Sequence, residues 1–469
     1  MDGDGVRASA PYPGRCCFFV QRKKRFCKMV VGEGKSLCGE HANTSPDNED
    51  GNNRKRIPCP LDPKHTVYED QLEKHLKKCN SREKPKPVYY IQDINAGLKE
   101  TVETEEKQIS LSSLSEEEIM NLIRKLRKAN SGFAKTLEDR TLSHPILHEA
   151  LHDPKNGESA FKHLKQQASI LGNLDKLGLL KPRRCFVEFG AGRGKLSHWI
   201  AKALQGSAST HFLLVERATT RFKVDGKHTN TDSVFERLQI DIQHLCLNRV
   251  PILMKEKLPV VGTGKHLCGA ATDLALRCLV ETYGSQDEEP LPKRLKMEEV
   301  ETTENDDEDK GKTMLEGWLP VAGIVIALCC HHKCDWKHYV GQEFFRTLGL
   351  GAEEFNLYQR MSSWATCGMK KTGTKAPSVW SSELSYEAAE HHIEYESMEG
   401  LSDQLQGKLP AQEREMLGRL CKLLIDHGRL WYLRQKGYNA ALYYYTDTQV
   451  SLENVLLTAV PSQASLPQP

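Results

Sequence analysis

Side chains that commonly bind metals are closely spaced near the beginning of the chain. In chain order they are Cys16 (or its neighbour Cys17), Cys27, Cys38 and His41. Three thiolates and one imidazole are a common ligand set for tetrahedral Zn²⁺. The segment is too short for an apolar core of its own, so a bound metal would explain how it folds. The spacing predicts a Cys₃His zinc-binding segment over residues 14–42; the alternative is a basic tail with incidental cysteines.

A second ligand set follows after a polar linker, and it consists of Cys59, His65, His75 and Cys79. The last two are four residues apart in a helical pattern, so their side chains share one helix face. The first two flank a proline-containing turn sequence. The set predicts a zinc finger over residues 56–80 and resembles the small CHHC fingers of RNA-processing proteins. The alternative is an amphipathic helix beside a small core.

A glycine-rich turn interrupts the sequence CFVEFGAGRGKLSHWI, residues 185–200. An apolar strand contains the acid Glu188 near its end and leads into Gly190, Gly192 and Gly194, before a helical pattern begins. Glycines let a ligand approach the backbone because no Cβ intervenes. Strand, glycine turn and helix open a nucleotide-binding βαβ unit, although glycines alone also fit a dinucleotide fold. The E-x-G-x-G-x-G form resembles motif I of class I S-adenosylmethionine-dependent methyltransferases.

Two more acids follow the next predicted strands. Glu216 ends the segment HFLLVE and Asp241 lies in LQIDI. The class I resemblance implies that Glu216 accepts hydrogen bonds from the two ribose hydroxyls of the cofactor. It also implies that Asp241 lies near the adenine amino group. With Glu188 and the three glycines, they make up the predicted cofactor site; an exposed strand-end carboxylate is the alternative for each acid.

Two basic residues end a later strand, in VVGTGKHLCGAATD. The class I resemblance implies that this strand end, with Lys265 and His266, faces the methyl group. Open α/β sheets bind ligands at the carboxyl ends of their strands. We expect His266 or a deprotonated Lys265 to take or steer the proton of the acceptor. Binding of a phosphate by either residue is the open alternative.

The strand after that ends in a cluster of cysteines and histidines. Its members are Cys329, Cys330, His331, His332 and Cys334. Neighbours crowded in one loop cannot easily all reach one tetrahedral ion, so a metal site is disfavoured here. The cluster either shapes the acceptor pocket or packs in the core.

Composition excludes several classes of protein. The chain has 469 residues, which is enough for two to four domains. Its net charge of +2 does not indicate a particular class of partner. It has no apolar run long enough to cross a bilayer and no signal-peptide core. Its 15 cysteines then favour metal ligation or free thiols over disulfides. We expect a soluble intracellular protein without a membrane partner; nucleus and cytoplasm both remain open.

Strands that alternate with helices are expected to position these residues. The predicted fold class is α/β: a Rossmann-like, seven-stranded class I methyltransferase domain over residues 113–460, preceded by the two zinc-binding modules. Residues 81–112 are predicted to be a linker and residues 284–313 a disordered acidic insertion. Ser115 and Glu118 predict a capping box at a helix start. Segments 438–445 and 454–460 predict a final antiparallel strand pair.

Taken in order, the Cys₃His segment, the CHHC finger and the motifs EFGAGRGKLS, KHLCGAATD and ALCCHHKC resemble the eukaryotic tRNA 2′-O-ribose methyltransferases that modify position four of the acceptor stem. The resemblance implies methyl transfer from S-adenosylmethionine to a ribose hydroxyl, with tRNA as partner and Zn²⁺ at two sites. The chain departs from other 2′-O-methyltransferases in lacking an obvious Lys-Asp-Lys-Glu tetrad.

Two other functions fit parts of the sequence. An RNA-binding or assembly protein could keep a vestigial methyltransferase fold, but the intact glycines and Glu188 disfavour this. The acceptor could instead be a protein side chain. The absence of an Asn- or Asp-Pro-Pro-aromatic motif after the fourth strand disfavours that alternative.

Overall fold

The structure is a computed structural model that divides into two compact units, Met1–Pro87 and Val88–Pro469. It describes residues 13–21, 25–32, 34–38, 41, 56–79, 81–82, 85–97, 111–133, 137–205, 210–218, 233–283, 320–367 and 409–462. The side chains of Lys64, Ser112 and His266 are not described. The acidic insertion predicted over 284–313 lies outside the described residues.

The described part of the first unit is built from short elements. Its elements are β1 (Phe19–Val20), β2 (Arg25–Phe26), β3 (Arg56–Cys59), β4 (Asp62–Tyr68) and α1 (Leu72–Leu76). Strand β1 pairs with β2, and β3 with β4, both antiparallel. Around β3, β4 and α1, the buried hydrophobic cluster consists of Cys59, Val67 and Cys79. A core this small cannot offset the conformational entropy lost on folding, so the module needs another source of stability.

The second unit contains ten of the helices labelled here. They are α2 (Glu116–Asn130), α3 (His148–Leu151), α4 (Glu158–Lys176), α5 (Lys195–Ala203), α6 (Pro251–Glu256), α7 (Ala270–Arg277), α8 (Gln342–Thr347), α9 (Ala352–Met361), α10 (Trp364–Cys367) and α11 (Ala411–Gln435). The capping box predicted at the start of α2 is confirmed, because the Ser115 hydroxyl accepts from the Glu118 amide and the Glu118 carboxylate accepts from the Ser115 amide.

One eight-stranded sheet organises the second unit. Its strands are β5 (Glu138–Asp139), β6 (Cys185–Phe189), β7 (His211–Val215), β8 (Val234–Leu238), β9 (Val260–Cys268), β10 (Val321–Cys329), β11 (Tyr438–Tyr444) and β12 (Val455–Pro461). The spatial order is β5-β11-β12-β10-β9-β6-β7-β8. Strands β6 to β10 run parallel, whereas β12 is antiparallel to both β10 and β11.

This strand order confirms the predicted fold, a Rossmann-like methyltransferase sheet that ends in an antiparallel pair. Strand β6 lies at its centre, and the chain leaves it in both directions, so ligands are expected at this switch point. Strand β5 is an eighth strand that pairs with β11. The sequence did not predict it because its two residues are both exposed and show no apolar alternation.

Helices cover both faces of the sheet. Helices α4 and α5 bury Leu171, Leu174 and Leu196 on one face, against side chains such as Phe186 and Phe212. A second cluster, which includes residues of α7 and α11, covers the other face. A third cluster joins α2, α8, α9 and α11 into a helical layer beside the sheet. Burial on both faces explains why β6 reads as a continuous apolar run interrupted only by Glu188.

Part of the segment predicted to be a linker is folded onto the second unit. The Ile91 amide donates to the His244 carbonyl at 2.9 Å. The fully buried Asn95 donates from its side chain to the carbonyls of Ile242 and Leu245. The linker prediction is therefore wrong for residues 88–97. The sequence does not predict this contact, because the short apolar group that includes Tyr90 lies next to a charged, proline-rich stretch.

Within the described ranges, each helix is either too short or too polar to cross a membrane.

Candidate functional site

The glycine-rich turn after β6 has a backbone that requires glycine. Gly190, Gly192 and Gly194 have φ angles of 61°, 48° and 71°. L-residues rarely adopt this left-handed conformation because the Cβ meets the backbone. At Gly190 an added Cβ would also lie 3.3 Å from Leu267 Cδ1. The turn therefore keeps the space above β6 free of side chains.

Glu188 lies beneath this turn and is buried. Its Oε2 accepts hydrogen bonds from the Ser197 amide, at 2.9 Å, and from the Ser197 hydroxyl. Burial raises the pKa of Glu188 to about 7, and these hydrogen bonds together with the charges of Arg237 and Lys265 limit the rise. The carboxyl group thus anchors the first turn of α5.

Because of this raised pKa, replacing Glu188 with Gln should change how stability depends on pH. Between about pH 4.5 and pH 7 the folded chain keeps a proton that the unfolded chain releases, so the wild type loses stability as pH rises. The loss amounts to about 3 kcal/mol, whereas an uncharged Gln contributes no such loss. We therefore expect the difference in thermal unfolding midpoint, Glu188→Gln minus wild type, to increase as the pH is raised from 5 to 8.

Glu117→Gln, on the exposed face of α2, is the matched control. A difference between Glu188→Gln and wild type that stays constant over this pH range would contradict the titration of a buried carboxyl group.

A cleft of about 410 Å³ opens at the carboxyl ends of β6, β7 and β9. The residues that line it are, in chain order, Gly190, Val215, Glu216, Arg217, Ile240, Asp241, Ile242, Gln243, Leu267, Cys268, Ala270, Ala271, Leu274, Lys333, Asp335 and His338. Of the six predicted cofactor residues, Gly190, Glu216 and Asp241 lie in this lining. Gly192 and Gly194 shape the turn, and Glu188 supports it from below.

Backbone amides hold the two acids of the cleft in place. One Glu216 oxygen accepts from the Gly192 amide and the other from the Ala218 amide, both at 2.9 Å. Asp241 accepts from the Gln243 amide at 3.1 Å and contacts Arg217 at 3.4 Å. Each oxygen of an ionised carboxylate has two acceptor positions, so Glu216 can still receive two hydroxyl donors.

Lys265 lies on β9, and its Nζ is 3.1 Å from Nδ1 of His163 on α4. The sequence identifies Lys265 as a candidate but gives no sign of its contact with His163, because 102 residues separate the two. A neutral lysine amine has two N–H donors and one lone pair, so it can donate to His163 Nδ1 and still present its lone pair to another group. The second candidate, His266, has its backbone in β9, but its side chain lies outside the described set.

The cysteine-rich end of β10 divides into two groups. Cys329 and Cys330 meet Cys268 at the end of β9, and the three sulfur atoms lie within 4.8 Å of one another. The thiols of Cys329 and Cys330 hydrogen-bond to the Cys268 sulfur, and this lowers the pKa of Cys268 to about 4. His331 and Cys334 point elsewhere, into a buried charge network.

Arg429 on α11 is the centre of that network. Its guanidinium makes a bidentate pair with Asp273 of α7, at 3.1 and 2.7 Å, and a third bond to Asp426. Asp426 also contacts His331 Nε2 at 2.8 Å, and Arg429 donates to the Cys334 sulfur. All five side chains of this network are buried, so removing Arg429 or one of the two aspartates would leave an uncompensated charge. The network ties the loop after β10 to α7 and α11.

In the first unit, the structure brings together the first predicted ligand set: Cys16, Cys27, Cys38 and His41. His41 Nδ1 lies 3.4 Å from Cys16 Sγ and 3.2 Å from Cys38 Sγ. Ligand atoms of a tetrahedral Zn²⁺ site lie roughly 3.3–3.8 Å apart, given bonds of 2.0–2.3 Å. The neighbouring Cys17 is exposed and outside the set. Burial opposes ionisation of Cys16, but hydrogen bonds from the Cys38 and Phe18 backbones lower its pKa.

The structure also brings together the second predicted set, Cys59, His65, His75 and Cys79. The two sulfur atoms are 3.8 Å apart, the two Nε2 atoms 3.1 Å, and Cys59 Sγ lies 3.2 Å from His75 Nε2. These separations are close to the edges of a zinc tetrahedron. Both sets therefore fit Zn²⁺ without rearrangement of the backbone.

His65 has a carboxylate partner on the ring nitrogen that faces away from the cluster. Its Nδ1 lies 3.4 Å from Asp62 Oδ2. A carboxylate at this position fixes the imidazole tautomer and raises its basicity toward the metal. We expect Asp62→Asn to weaken Zn²⁺ binding at the CHHC site about 10- to 100-fold. Competition with a chromophoric chelator measures the change in the full chain.

Glu73→Gln, which alters an exposed acid on α1, is the control for this substitution. Equal zinc affinity in Asp62→Asn and Glu73→Gln would show that the Asp62 carboxylate does not act on His65.

Three family models match the chain. The model described as methyltransferase TRM13 matches residues 165–460. The model of the CCCH zinc finger in TRM13 protein matches residues 14–42. A U11-48K-like CHHC zinc finger model matches residues 56–80.

Curated relatives match over nearly the full length. The chain is 62% identical over 464 residues to the tRNA:m(4)X modification enzyme TRM13 homolog of Mus musculus, covering 97% of this chain and 96% of the relative. It is 61% identical over 468 residues to the Homo sapiens protein of that description, covering 98% and 97%. It is 30% identical over 517 residues to the Saccharomyces cerevisiae tRNA:m(4)X modification enzyme TRM13, covering 97% and 98%.

Proposed function

The chain belongs to the TRM13 methyltransferase family, and from this premise we propose that it methylates the ribose 2′-hydroxyl of nucleotide 4 in the acceptor stem of tRNA. The cofactor is S-adenosylmethionine, and the two zinc fingers bind Zn²⁺. The observation that carries the proposal is that the Glu216 cleft lies at the carboxyl ends of β6 and β7, while Lys265, in contact with His163 of α4, lies on the adjacent strand β9.

The cleft after β6 and β7 suits S-adenosylmethionine. Its apolar side chains, including Val215, Ile240 and Leu274, provide surfaces for a flat base. Glu216 holds the ribose hydroxyls with the acceptor positions that its two backbone amides leave free. Asp241 lies at the adenine end, and the Gly190 turn admits the amino-acid end.

Lys265 and His163 act on the acceptor. The sulfonium of the bound cofactor supplies a methyl group with a good leaving group, so alignment of the ribose oxygen contributes much of the rate. The hydroxyl becomes a strong nucleophile only when its proton leaves. A deprotonated Lys265 that donates one N–H to His163 Nδ1 keeps its own lone pair, which receives this proton, and the hydrogen bond to His163 stabilises the resulting ammonium group.

The two zinc fingers bind the RNA. An A-form stem is recognised mainly by its shape, its phosphates and its 2′-hydroxyls, which small basic modules can contact without reading bases. Exposed basic side chains of the first finger include Arg15, Lys28 and Lys35. Affinity that depends on phosphate contacts falls steeply as salt rises.

The test is to incubate the full chain with methyl-labelled cofactor and either total tRNA or total protein. We expect label in tRNA, and an alkali-resistant linkage after nucleotide 4, because a methylated 2′-oxygen cannot attack the adjacent phosphate. Label on a base, at another ribose or only in protein would contradict the proposed acceptor. Glu216→Ala, which removes the ribose contact, is the negative control.

A further inference from the structure

We propose that Cys268, Cys329 and Cys330 form a third metal site, which binds a thiophilic divalent ion such as Zn²⁺ at the wall of the cofactor cleft. The three residues lie at the carboxyl ends of the neighbouring strands β9 and β10, where Cys268 pairs directly with Cys329. Cys268 also lines the cleft that contains Glu216 and Asp241. The site does not depend on which acceptor the enzyme methylates.

The separations between the sulfur atoms fit one ion. All three lie within 4.8 Å of one another, a limit that both zinc-finger ligand sets also meet. Cys268 Sγ and Cys329 Sγ are 3.3 Å apart. Thiolates at about 2.3 Å from a tetrahedral ion lie roughly 3.8 Å apart. Small side-chain rotations that move the sulfur atoms by a few tenths of an ångström would therefore complete the geometry.

Two features of the backbone bring these sulfur atoms together. Cys330 has a φ of 50°, a left-handed conformation that is uncommon for a residue with a Cβ. Such outliers persist where the surroundings fix them, and they concentrate at ligand sites. Gly269, directly after Cys268, lies so close to the loop after β10 that an added Cβ would be 2.3 Å from the Lys333 carbonyl oxygen. The two strand ends are therefore held tightly against each other.

Two other members of the cysteine and histidine cluster, His331 and Cys334, have different partners. His331 contacts Asp426, and Cys334 accepts from Arg429, so neither is available to the ion. This division answers the objection that neighbours in one loop cannot share a tetrahedral ion. Cys329 ends β10 and Cys330 begins the loop, and the third ligand, Cys268, comes from the adjacent strand β9.

Three thiolates leave one coordination position of a tetrahedral ion for a ligand outside this set. Within the described ranges, the cluster that meets the distance limit contains these three residues and no fourth. Nearby, Glu453 accepts a hydrogen bond from the Cys330 amide at 3.3 Å and thereby fixes the strained residue. An ion here would hold the end of β9, which carries Lys265, against the end of β10.

The metal content of the full chain tests the site. Protein purified under reducing conditions and equilibrated with Zn²⁺ alone should contain three zinc ions per chain, as measured by inductively coupled plasma mass spectrometry. Cys329→Ser and Cys330→Ser should each contain two. Cys421→Ala, which changes a buried cysteine of α11 outside the trio, should still contain three. After replacement by Co²⁺, the thiolate charge-transfer absorption should fall in the two serine variants and stay unchanged in the alanine control.

Three results would overturn the proposal. They are two zinc ions in the wild type, three in both serine variants, or a disulfide between Cys268 and Cys329 in the reduced preparation. The wild-type count decides even if a variant fails to fold. Methylation of tRNA by a chain with two zinc ions would reject this site and leave the proposed function intact.

Discussion

Replacing both Cys59 and Cys79 with serine should lower the affinity of the full chain for tRNA about 10- to 100-fold and leave its Kd for S-adenosylmethionine within twofold. The two thiolates are half of the CHHC ligand set, and the described core of this module has three buried hydrophobic residues. Binding of structural Zn²⁺ contributes about 10–16 kcal/mol in small finger peptides, so loss of the ion should unfold the module. The cleft belongs to the second unit, which should stay folded.

The measurement is a pair of titrations at one fixed salt concentration, one with tRNA and one with S-adenosylmethionine. A fixed concentration is needed because phosphate contacts make the affinity strongly salt-dependent. Cys17→Ser is the matched control, since it removes an exposed thiol outside the ligand sets. If the double serine variant binds tRNA as tightly as the wild type does, the CHHC finger does not contribute to RNA binding. If cofactor affinity falls in parallel, the substitution has damaged the second unit.

The parts of the site that the sequence predicted are those encoded by short segments. Four zinc ligands within some 25 residues, or a glycine turn between a strand and a helix, place their side chains through local geometry alone. The order of strands also follows from local patterns, because right-handed crossovers leave few arrangements for alternating strands and helices. These predictions therefore needed no knowledge of long-range contacts.

Contacts between distant segments were not predictable in this way. His163 meets Lys265 only because α4 packs over the β6–β9 region of the sheet. Cys268 meets Cys329 only because β9 and β10 pair in one particular register, which includes a shift beside Ala327. Nothing in the sequence near Arg429 reveals Asp273, since 156 residues separate the two. Each of these contacts depends on tertiary packing rather than on spacing along the chain.

The role of Glu188 shows how a correct motif can leave open what a residue does. The motif placed an acid at the end of β6, and the structure has it there. Its carboxyl group is directed to Ser197 of α5 and does not line the described cleft. Side-chain direction depends on the pleat of the strand and on the neighbouring helix, which a motif does not specify. We therefore expect Glu188 to act on the cofactor through the glycine turn that it supports.

Replacing Lys265 with alanine should lower the single-turnover rate of methyl transfer about 10²- to 10⁴-fold, the usual contribution of a positioned acid or base. Its Kd for S-adenosylmethionine should change little, because Lys265 does not line the cleft that holds Glu216 and Asp241. His163→Ala should lower the rate less, since it leaves the lysine in place but removes its hydrogen-bond partner. Lys162→Ala, a neighbour with an exposed ion pair to Glu158, is the control.

Lys265→Arg distinguishes the two roles that the sequence left open for this residue. An arginine keeps the positive charge and binds a phosphate well, but it stays protonated and cannot accept a proton. A base at position 265 therefore predicts that Lys265→Arg is as slow as Lys265→Ala and that the rate of the wild type rises with pH as the ammonium group of Lys265 loses a proton. A phosphate ligand predicts that tRNA affinity, not turnover, falls in Lys265→Ala and that Lys265→Arg keeps most of the tRNA affinity. If Lys265→Ala changes neither the single-turnover rate nor the affinity for tRNA, both roles are excluded and His266 is the remaining candidate on β9.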